Sequence, residues 1–265
     1  MTFEELARIT DEVERIQKTY EIFHEDTRLS RCQAARVEFL TTVRYIEPYL
    51  TPGTSILDVG AGAGAYSLYF AQQGYPVTAV ELSERNVADF RQKMDPAHPV
   101  ALYQGNAVDL SRFADQSFDV VLVFGPLYHL HSEDDRRKVI SEARRVCKDG
   151  GHLFFAFISN DMVILTEFSY RPDYFTAGDY NKETFKLDDF PFVFFTVDQC
   201  REMLKRGSVD IVHEVASDGV SELMAEKINQ LDEAGYQQYL RYHFYSCEKP
   251  EMLGHSNHLL FVTKK

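Results

Sequence analysis

The chain has 265 residues, 45% of them hydrophobic, and carries 41 acidic against 28 basic side chains, a formal net charge of −13. That length buries a substantial core, and an acidic chain with no dense Lys/Arg stripe repels a phosphate backbone, which excludes nucleic acid as an expected partner. Four scattered cysteines (Cys32, Cys147, Cys200, Cys247) without a CxxC pair read as reduced thiols. A charged N-terminus with no apolar leader, and no run of ~18 to 20 apolar residues, predict a soluble, cytoplasmic protein with no membrane partner.

Residues 3–50 read as helices, with Phe39, Val43, Ile46 and Leu50 at helical spacing in "EFLTTVRYIEPYL". "TPGT" breaks that pattern before a first strand at 55–59. "YPVTAVEL" is a predicted strand and "SERNVADFRQKM" a predicted helix opened by Ser83 as its N-cap. Strands "PVALYQGN" and "FDVVLVFG" follow, then the helix "SEDDRRKVISEARRVC" and the strand "GGHLFFAFI". Short, continuous apolar runs suit strands buried on both faces, and strand–helix alternation implies a parallel sheet. Residues 160–195 read as irregular and ring-rich (Phe168, Tyr170, Tyr174, Phe175, Tyr180, Phe185, Phe190, Phe192, Phe194, Phe195). A helix ("TVDQCREMLKRG"), a strand ("VDIVHEVAS"), a helical insert near 221–247 and a final strand ("HLLFVTKK") complete the chain. The expected fold is α/β: a doubly wound, mostly parallel seven-stranded sheet with an antiparallel last strand. Residues 1–50 form a helical cap segment and residues 51–265 a Rossmann-like domain, with cap inserts at 160–195 and 219–250.

"SILDVGAGAGAYSLYF" is the stretch that speaks of a ligand. A P-loop needs Lys-Ser/Thr at the end of its glycine run, and this run ends in "GAYS". Gly60, Gly62 and Ala65 fit the dinucleotide pattern G-x-G-x-x-G/A. Asp58 with Gly60, Gly62 and Gly64 gives D-x-G-x-G-x-G, in which the acid suits an ammonium or sulfonium and repels a pyrophosphate. Glu81 stands at the end of the second strand, where a carboxylate accepts both ribose hydroxyls. Asn106, in "QGNAVDL", ends the third strand.

This ordered set, with the "FDVVLVFGPLYHL…GGHLFFAF" segment, resembles the class I S-adenosylmethionine-dependent methyltransferases, closely over 50–160 and loosely in the final strands. The resemblance implies S-adenosylmethionine as cofactor, a small-molecule acceptor, and release of S-adenosylhomocysteine. Asp58, Gly60, Ala61, Gly62, Gly64, Glu81, Leu82, Asn106, Ala107, Phe124 and Gly125 are the implied cofactor contacts, the glycines making room for the methionine and ribose. Asn106 stands where the family usually carries an acid for the adenine amine. No Asn-Pro-Pro-Tyr pattern of base or protein-amide methyltransferases occurs. An NAD-dependent oxidoreductase and a non-catalytic S-adenosylmethionine-binding protein are the competing readings.

On the acceptor side, Tyr128 and His129 in "GPLYHL" are the candidate catalytic residues. With an unperturbed histidine pKa of ~6.5, a His129 base predicts a rate that falls as pH drops through that range. The aromatic insert is expected as a lid. "YEIFHEDTRLSR" offers Tyr20, Glu25, Arg28 and Arg31, with Tyr20 facing the cofactor. Tyr20, Arg28, Tyr128 and His258 are the candidate acceptor-binding residues. His243, Cys247, His255 and His258 do not match structural zinc spacings, and no metal is expected.

Overall fold

The computed structural model describes residues 2–23 and 27–265, without the side chains of Phe3 and Glu4. Its sheet is built from β1 (Ile56–Val59), β2 (Val77–Glu81), β3 (Val100–Gln104), β4 (Phe118–Val123), β5 (Cys147–Ser159), β6 (Phe194–Phe195), β7 (Asp210–Ala216) and β8 (His258–Lys264). The strand order is β3-β2-β1-β4-β5-β8-β7. β1 to β5 pair in parallel, while β8 lies antiparallel between β5 and β7. This is the expected seven-strand path, with the two-residue β6 added in parallel beside Ile158 and Ser159 of β5. All four residues of β1 are buried, as a central strand covered on both faces demands.

Helices α1 (Phe3–Ala7), α2 (Glu12–Ile22) and α3 (Gln33–Ile46) precede the sheet. α4 (Ala65–Gln72) and α5 (Glu84–Lys93) follow β1 and β2; α6 (Pro126–His129) and α7 (Glu133–Val146) follow β4. Ser83 caps α5 as predicted, its hydroxyl accepting the Asn86 amide at 3.3 Å. The chain winds outward through β2 and β3, then returns to the other side of β1 as β4. The direction therefore reverses between β1 and β4, where open α/β sheets leave a crevice at the carboxyl ends of the strands.

Residues 160–195 are more ordered than their composition predicts. α8 (Asn160–Tyr170) is an eleven-residue helix capped by the Ser159 hydroxyl, and α9 (Tyr174–Ala177) follows it. Apolar residues fall around α8 without a single stripe, so the 3.6-residue period on which helix recognition depends is missing. Tyr174 and Tyr180 are buried with Ile164 and Leu187 in a small core of their own, whereas Phe168, Tyr170, Phe175 and Phe185 are exposed. α10 (Val197–Arg206) leads into β7. Between β7 and β8 lie α11 (Ala225–Ile228), α12 (Glu233–Ser246) and α13 (Pro250–Leu253). α11 and α12 pack on α3, sharing a cluster of Ala34, Val37, Ile228, Tyr236 and Leu240. Among the described residues, no helix is long and apolar enough to cross a membrane.

Candidate functional site

The three glycines after β1 all take positive φ: 76° at Gly60, 55° at Gly62 and 85° at Gly64, a region costly for side-chain-bearing residues. Their surroundings differ. A Cβ on Gly60 would fall 2.7 Å from Pro126, and one on Gly64 would fall 2.6 Å from the buried Phe90 ring. At Gly62 nothing lies within 4 Å of that position. Gly60 and Gly64 are thus closely packed within the chain, whereas Gly62 faces open space.

Two carboxylates flank the turn. Asp58 lies beneath it, fully buried, with Oδ2 accepting the Ser67 hydroxyl at 2.7 Å and Oδ1 without a hydrogen-bond partner. Burial pushes its pKa up to about 7; the Ser67 hydrogen bond opposes the shift and the charge of Glu81 adds to it. Glu81, at the end of β2, is buried too but well solvated by the protein. Its Oε2 accepts the Gly62 amide at 2.8 Å, and its Oε1 accepts the Ser83 amide at 2.8 Å and the Asn86 side chain at 3.4 Å.

A cavity of about 40 Å³ opens at these strand ends. Of the predicted cofactor residues, Gly60, Glu81, Leu82, Asn106, Ala107 and Gly125 line it; Asp58, Ala61, Gly62, Gly64 and Phe124 do not. Asn106 already accepts the Val108 amide through Oδ1 at 3.2 Å, leaving one lone pair of that oxygen for another donor. Ile16 and Tyr20 of α2 form the facing wall, with Pro126, His129 and Leu130. α2 is pinned there by three contacts. Glu12 accepts the His131 amide at 2.7 Å, Arg15 meets His131 Nδ1 at 3.0 Å, and the Tyr20 hydroxyl lies 2.7 Å from His129 Nε2.

His129 is therefore an internal hydrogen-bond partner with its ring inside the protein. Burial lowers its pKa to about 3, with the nearby His131 adding to the effect, so it stays neutral throughout the physiological range. The acid limb expected from a His129 base near pH 6.5 is corrected by this burial. Tyr128 is half-buried and lines neither this cavity nor the one described below. Phe192 packs on both rings, at 6.1 Å from Tyr128 and 5.1 Å from His129.

Residues 57–155 match the family model described as "Methyltransferase domain". That segment is a methyltransferase domain. YqeM of Bacillus subtilis (strain 168), which bears a methyltransferase name, is 30% identical over 112 residues, 42% of this chain and 45% of that protein. A ubiquinone biosynthesis O-methyltransferase of Coxiella burnetii is 29% identical over 120 residues, 45% of this chain and 50% of that protein. The chain thus spans about half the length of the curated relatives it matches. In the solved structures, a Methanosarcina mazei protein titled as an S-adenosylmethionine-dependent methyltransferase superposes with a TM-score of 0.56. It shares 21% identity, and the match covers 83% of this chain and 96% of that one. A Pyrococcus horikoshii protein gives a TM-score of 0.60 at 18% identity, covering 93% and 98%. These likenesses establish the fold of the methyltransferase domain and its surroundings.

Outside the matched segment, the chain carries a second, larger cavity of about 580 Å³. Arg28 and His258 both line it, brought together with Arg31, Glu38, Asp218, Glu222 and Tyr170. Glu25 lies outside the described residues. Arg28 grips both oxygens of Glu38, at 2.6 and 3.3 Å. His258 Nδ1 sits 2.8 Å from Asp218 Oδ2 and 3.4 Å from Glu38 Oε2. Burial alone lowers the histidine's pKa, but the Glu38 and Asp218 carboxylates outweigh it and hold His258 at about 9. Asp218 is held below the ordinary carboxylate range: burial opposes that shift, and the His258 charge and hydrogen bonds from His258 and Ser256 overcome it.

Glu38, Asp218 and His258 bring three ligand atoms within 4.8 Å of one another. Their chemistry opposes a metal, since His258 carries a proton on the nitrogen facing Asp218 and Arg28 already neutralises Glu38. Sequence reasoning missed Glu38, Asp218 and Glu222. Nothing in a sequence announces the pairing of Asp218 with a histidine 40 residues on. Of the aromatic insert, Tyr170 reaches this cavity, while Phe192 joins Phe23 (5.4 Å) to the Tyr128–His129 pair. Most of the other insert rings pack on each other or face solvent, rather than forming a continuous lid.

Proposed function

We propose that this chain binds S-adenosylmethionine at the carboxyl ends of β1, β2 and β3 and transfers its methyl group to a small-molecule acceptor. The observation that carries the reading is the Glu81–Gly62 pair. A carboxylate ending β2 is fixed at 2.8 Å on the amide of the one turn glycine that faces open space. The residues fit the cofactor on two further counts. Gly62 leaves open space beside the Glu81 carboxylate that its amide holds, and Asp58 Oδ1 is a buried acceptor awaiting a donor, which an ammonium or a water bridging to one supplies.

Bound S-adenosylmethionine supplies a methyl group already activated by its sulfonium. The protein's work is then alignment and exclusion of water. Glu81 accepts ribose hydroxyls with its remaining lone pairs, Asn106 meets the adenine edge, and Ile16, Tyr20 and Leu130 close the apolar side. A 40 Å³ cavity has room for about three waters. A nucleoside therefore enters only when α2 draws back from His129 and His131. A small-molecule acceptor is supported by two relatives' names: the Coxiella burnetii ubiquinone biosynthesis O-methyltransferase and a glycine/sarcosine N-methyltransferase of Aphanothece halophytica.

The test has two arms. S-adenosylmethionine and S-adenosylhomocysteine should raise the melting temperature and NAD and NADP should not; selective stabilisation by NAD(H) would overturn the reading. Incubation with methyl-labelled S-adenosylmethionine and a metabolite extract should yield a labelled small molecule by mass spectrometry. Cofactor binding with no transfer to any metabolite would favour the non-catalytic alternative.

A further inference from the structure

We propose that the 580 Å³ cavity is the acceptor subsite and that it takes a carboxylate-bearing small molecule, anchored by His258 and Arg31. The inference rests on the methyltransferase reading and adds the substrate class.

Position comes first. His258 opens β8 and pairs with Ile158 near the carboxyl end of β5, so the cavity lies on the same edge of the sheet as the glycine turn. One helix and its end serve both cavities: Ile16 and Tyr20 line the first, Ile22 and Phe23 the second. At 1.5 Å rise per residue, Tyr20 and Phe23 are separated by about 4.5 Å along the axis. Phe23, Phe192, Tyr128 and His129 form a continuous set of ring contacts between the two spaces. The larger cavity is thus linked to the cofactor wall through Phe23, Phe192 and His129, whose successive ring centroids lie 5.4 and 5.1 Å apart.

Charge comes second. The wall holds a chain of alternating charges: Arg28, Glu38, His258, Asp218. Burying four charges is costly, and apolar replacements often fold as well or better. Such a chain on a cavity wall is explained by what it presents. Among the described residues, every carboxylate lining the cavity is already engaged. Glu38 holds Arg28, Asp218 holds His258 and Ser256, and Glu222 accepts Tyr170 at 3.0 Å and Asn257 at 2.7 Å. The open groups are donors. The Nδ1 side of the His258 imidazolium is bound to Asp218, which leaves its Nε2–H for a ligand. The exposed Arg31 donates its backbone amide to Thr27, and its guanidinium makes no hydrogen bond or ion pair with any described residue. One cationic donor held in place by Asp218 and a second, exposed guanidinium beside carboxylates that are already engaged select an anion, and a planar carboxylate matches a guanidinium fork beside an N–H. Ile22, Phe23, Ala34, Ala35 and Ala225 supply an apolar floor for the rest of the molecule.

The test uses the full chain saturated with S-adenosylhomocysteine. Matched pairs (benzoate and benzamide, phenylacetate and phenylacetamide, hexanoate and hexanamide) are titrated by calorimetry at neutral pH. At least one carboxylate should bind tenfold or more tighter than its amide. Arg31→Ala, at an exposed position, and His258→Gln, which retains a donor toward Asp218, should each reduce that preference at least fivefold, leaving S-adenosylhomocysteine affinity within twofold. The proposal is overturned if no carboxylate outbinds its amide, or if the preference survives both substitutions. Failure of S-adenosylhomocysteine itself to bind would instead bring down the methyltransferase reading, and the acceptor role with it.

Discussion

Gly62→Ala separates the cradle reading of the glycine turn from a purely structural one. At φ 55° an alanine pays the left-handed backbone cost, about 1–2 kcal/mol, and meets no atom within 4 Å. For a domain of this size that is a fall in melting temperature of roughly 2–8 °C. Gly64→Ala carries the same backbone cost, and its Cβ lies 2.6 Å from a Phe90 ring carbon where ordinary contact is about 3.5–4.0 Å. Phe90 is completely buried and has nowhere to move. Overpacking adds about 1–3 kcal/mol, for a total near 2–5 kcal/mol and a fall of roughly 4–20 °C.

Binding should rank the two variants the other way. The Gly62 methyl enters the open space beside the Glu81 carboxylate that the Gly62 amide holds, and should weaken S-adenosylhomocysteine by about tenfold or more, ~1.4 kcal/mol. Gly64→Ala, measured below its melting transition, should bind within a few-fold of the parent. Differential scanning fluorimetry gives the first ranking and titration calorimetry the second. Parent-like affinity in Gly62→Ala, or a loss of stability equal to that of Gly64→Ala, would refute the argument.

Glu81→Ala should weaken S-adenosylhomocysteine by roughly 1.5–3 kcal/mol, the scale of hydrogen bonds to a charged group, and Glu81→Gln by less; unchanged affinity in calorimetry would remove Glu81 from the site. Asp58 has a folded pKa of about 7 against an ordinary 3.8, so its penalty on the fold is absent in acid, grows between about pH 4 and 7, and is complete above that. Asp58→Asn should accordingly gain stability relative to the parent between pH 5 and 8, and an unchanged difference in denaturant unfolding at the two pH values would contradict this. Tyr20→Phe removes the bond to His129 and should destabilise by about 1 kcal/mol while speeding amide exchange in α2; unaltered α2 exchange would show that the pair does not hold the helix down.

The sheet was legible because its strands are short and apolar on both faces, and because Gly, Pro and Ser punctuate the chain where elements end. Ser83 illustrates this: a cap, a helix start and a strand end all follow from one residue whose hydroxyl does accept the Asn86 amide. α8 was hidden for the opposite reason. Its eleven residues carry apolar side chains on every side: Met162 and Ile164 are buried, whereas Leu165, Phe168 and Tyr170 face solvent. Periodicity reports one-sided burial, and apolar residues left on the exposed side erase it.

The two carboxylates at the glycine turn show where sequence reading of a site stops. Asp58 and Glu81 stand out equally in the sequence, each ending a buried strand at the same edge of the sheet. The fold gives them opposite environments. Glu81 receives two backbone amides and faces the cavity, whereas Asp58 receives one hydroxyl and lies beneath the turn with an unpaired oxygen. Glu81 is thus kept ready as a hydrogen-bond acceptor, while Asp58 is held near its own neutralisation, where a cationic partner shifts it most. Spacing fixes which strand end a carboxylate occupies. Which side of the turn it falls on depends on α4, whose Ser67 draws Asp58 inward, and on the Gly62 amide, which holds Glu81 at the rim. The same limit applies at the second cavity, where Arg28 and His258 were legible as candidate acceptor-binding residues. Glu38 and Asp218, which give them their state, enter only when α3 and the end of β7 are folded against β8.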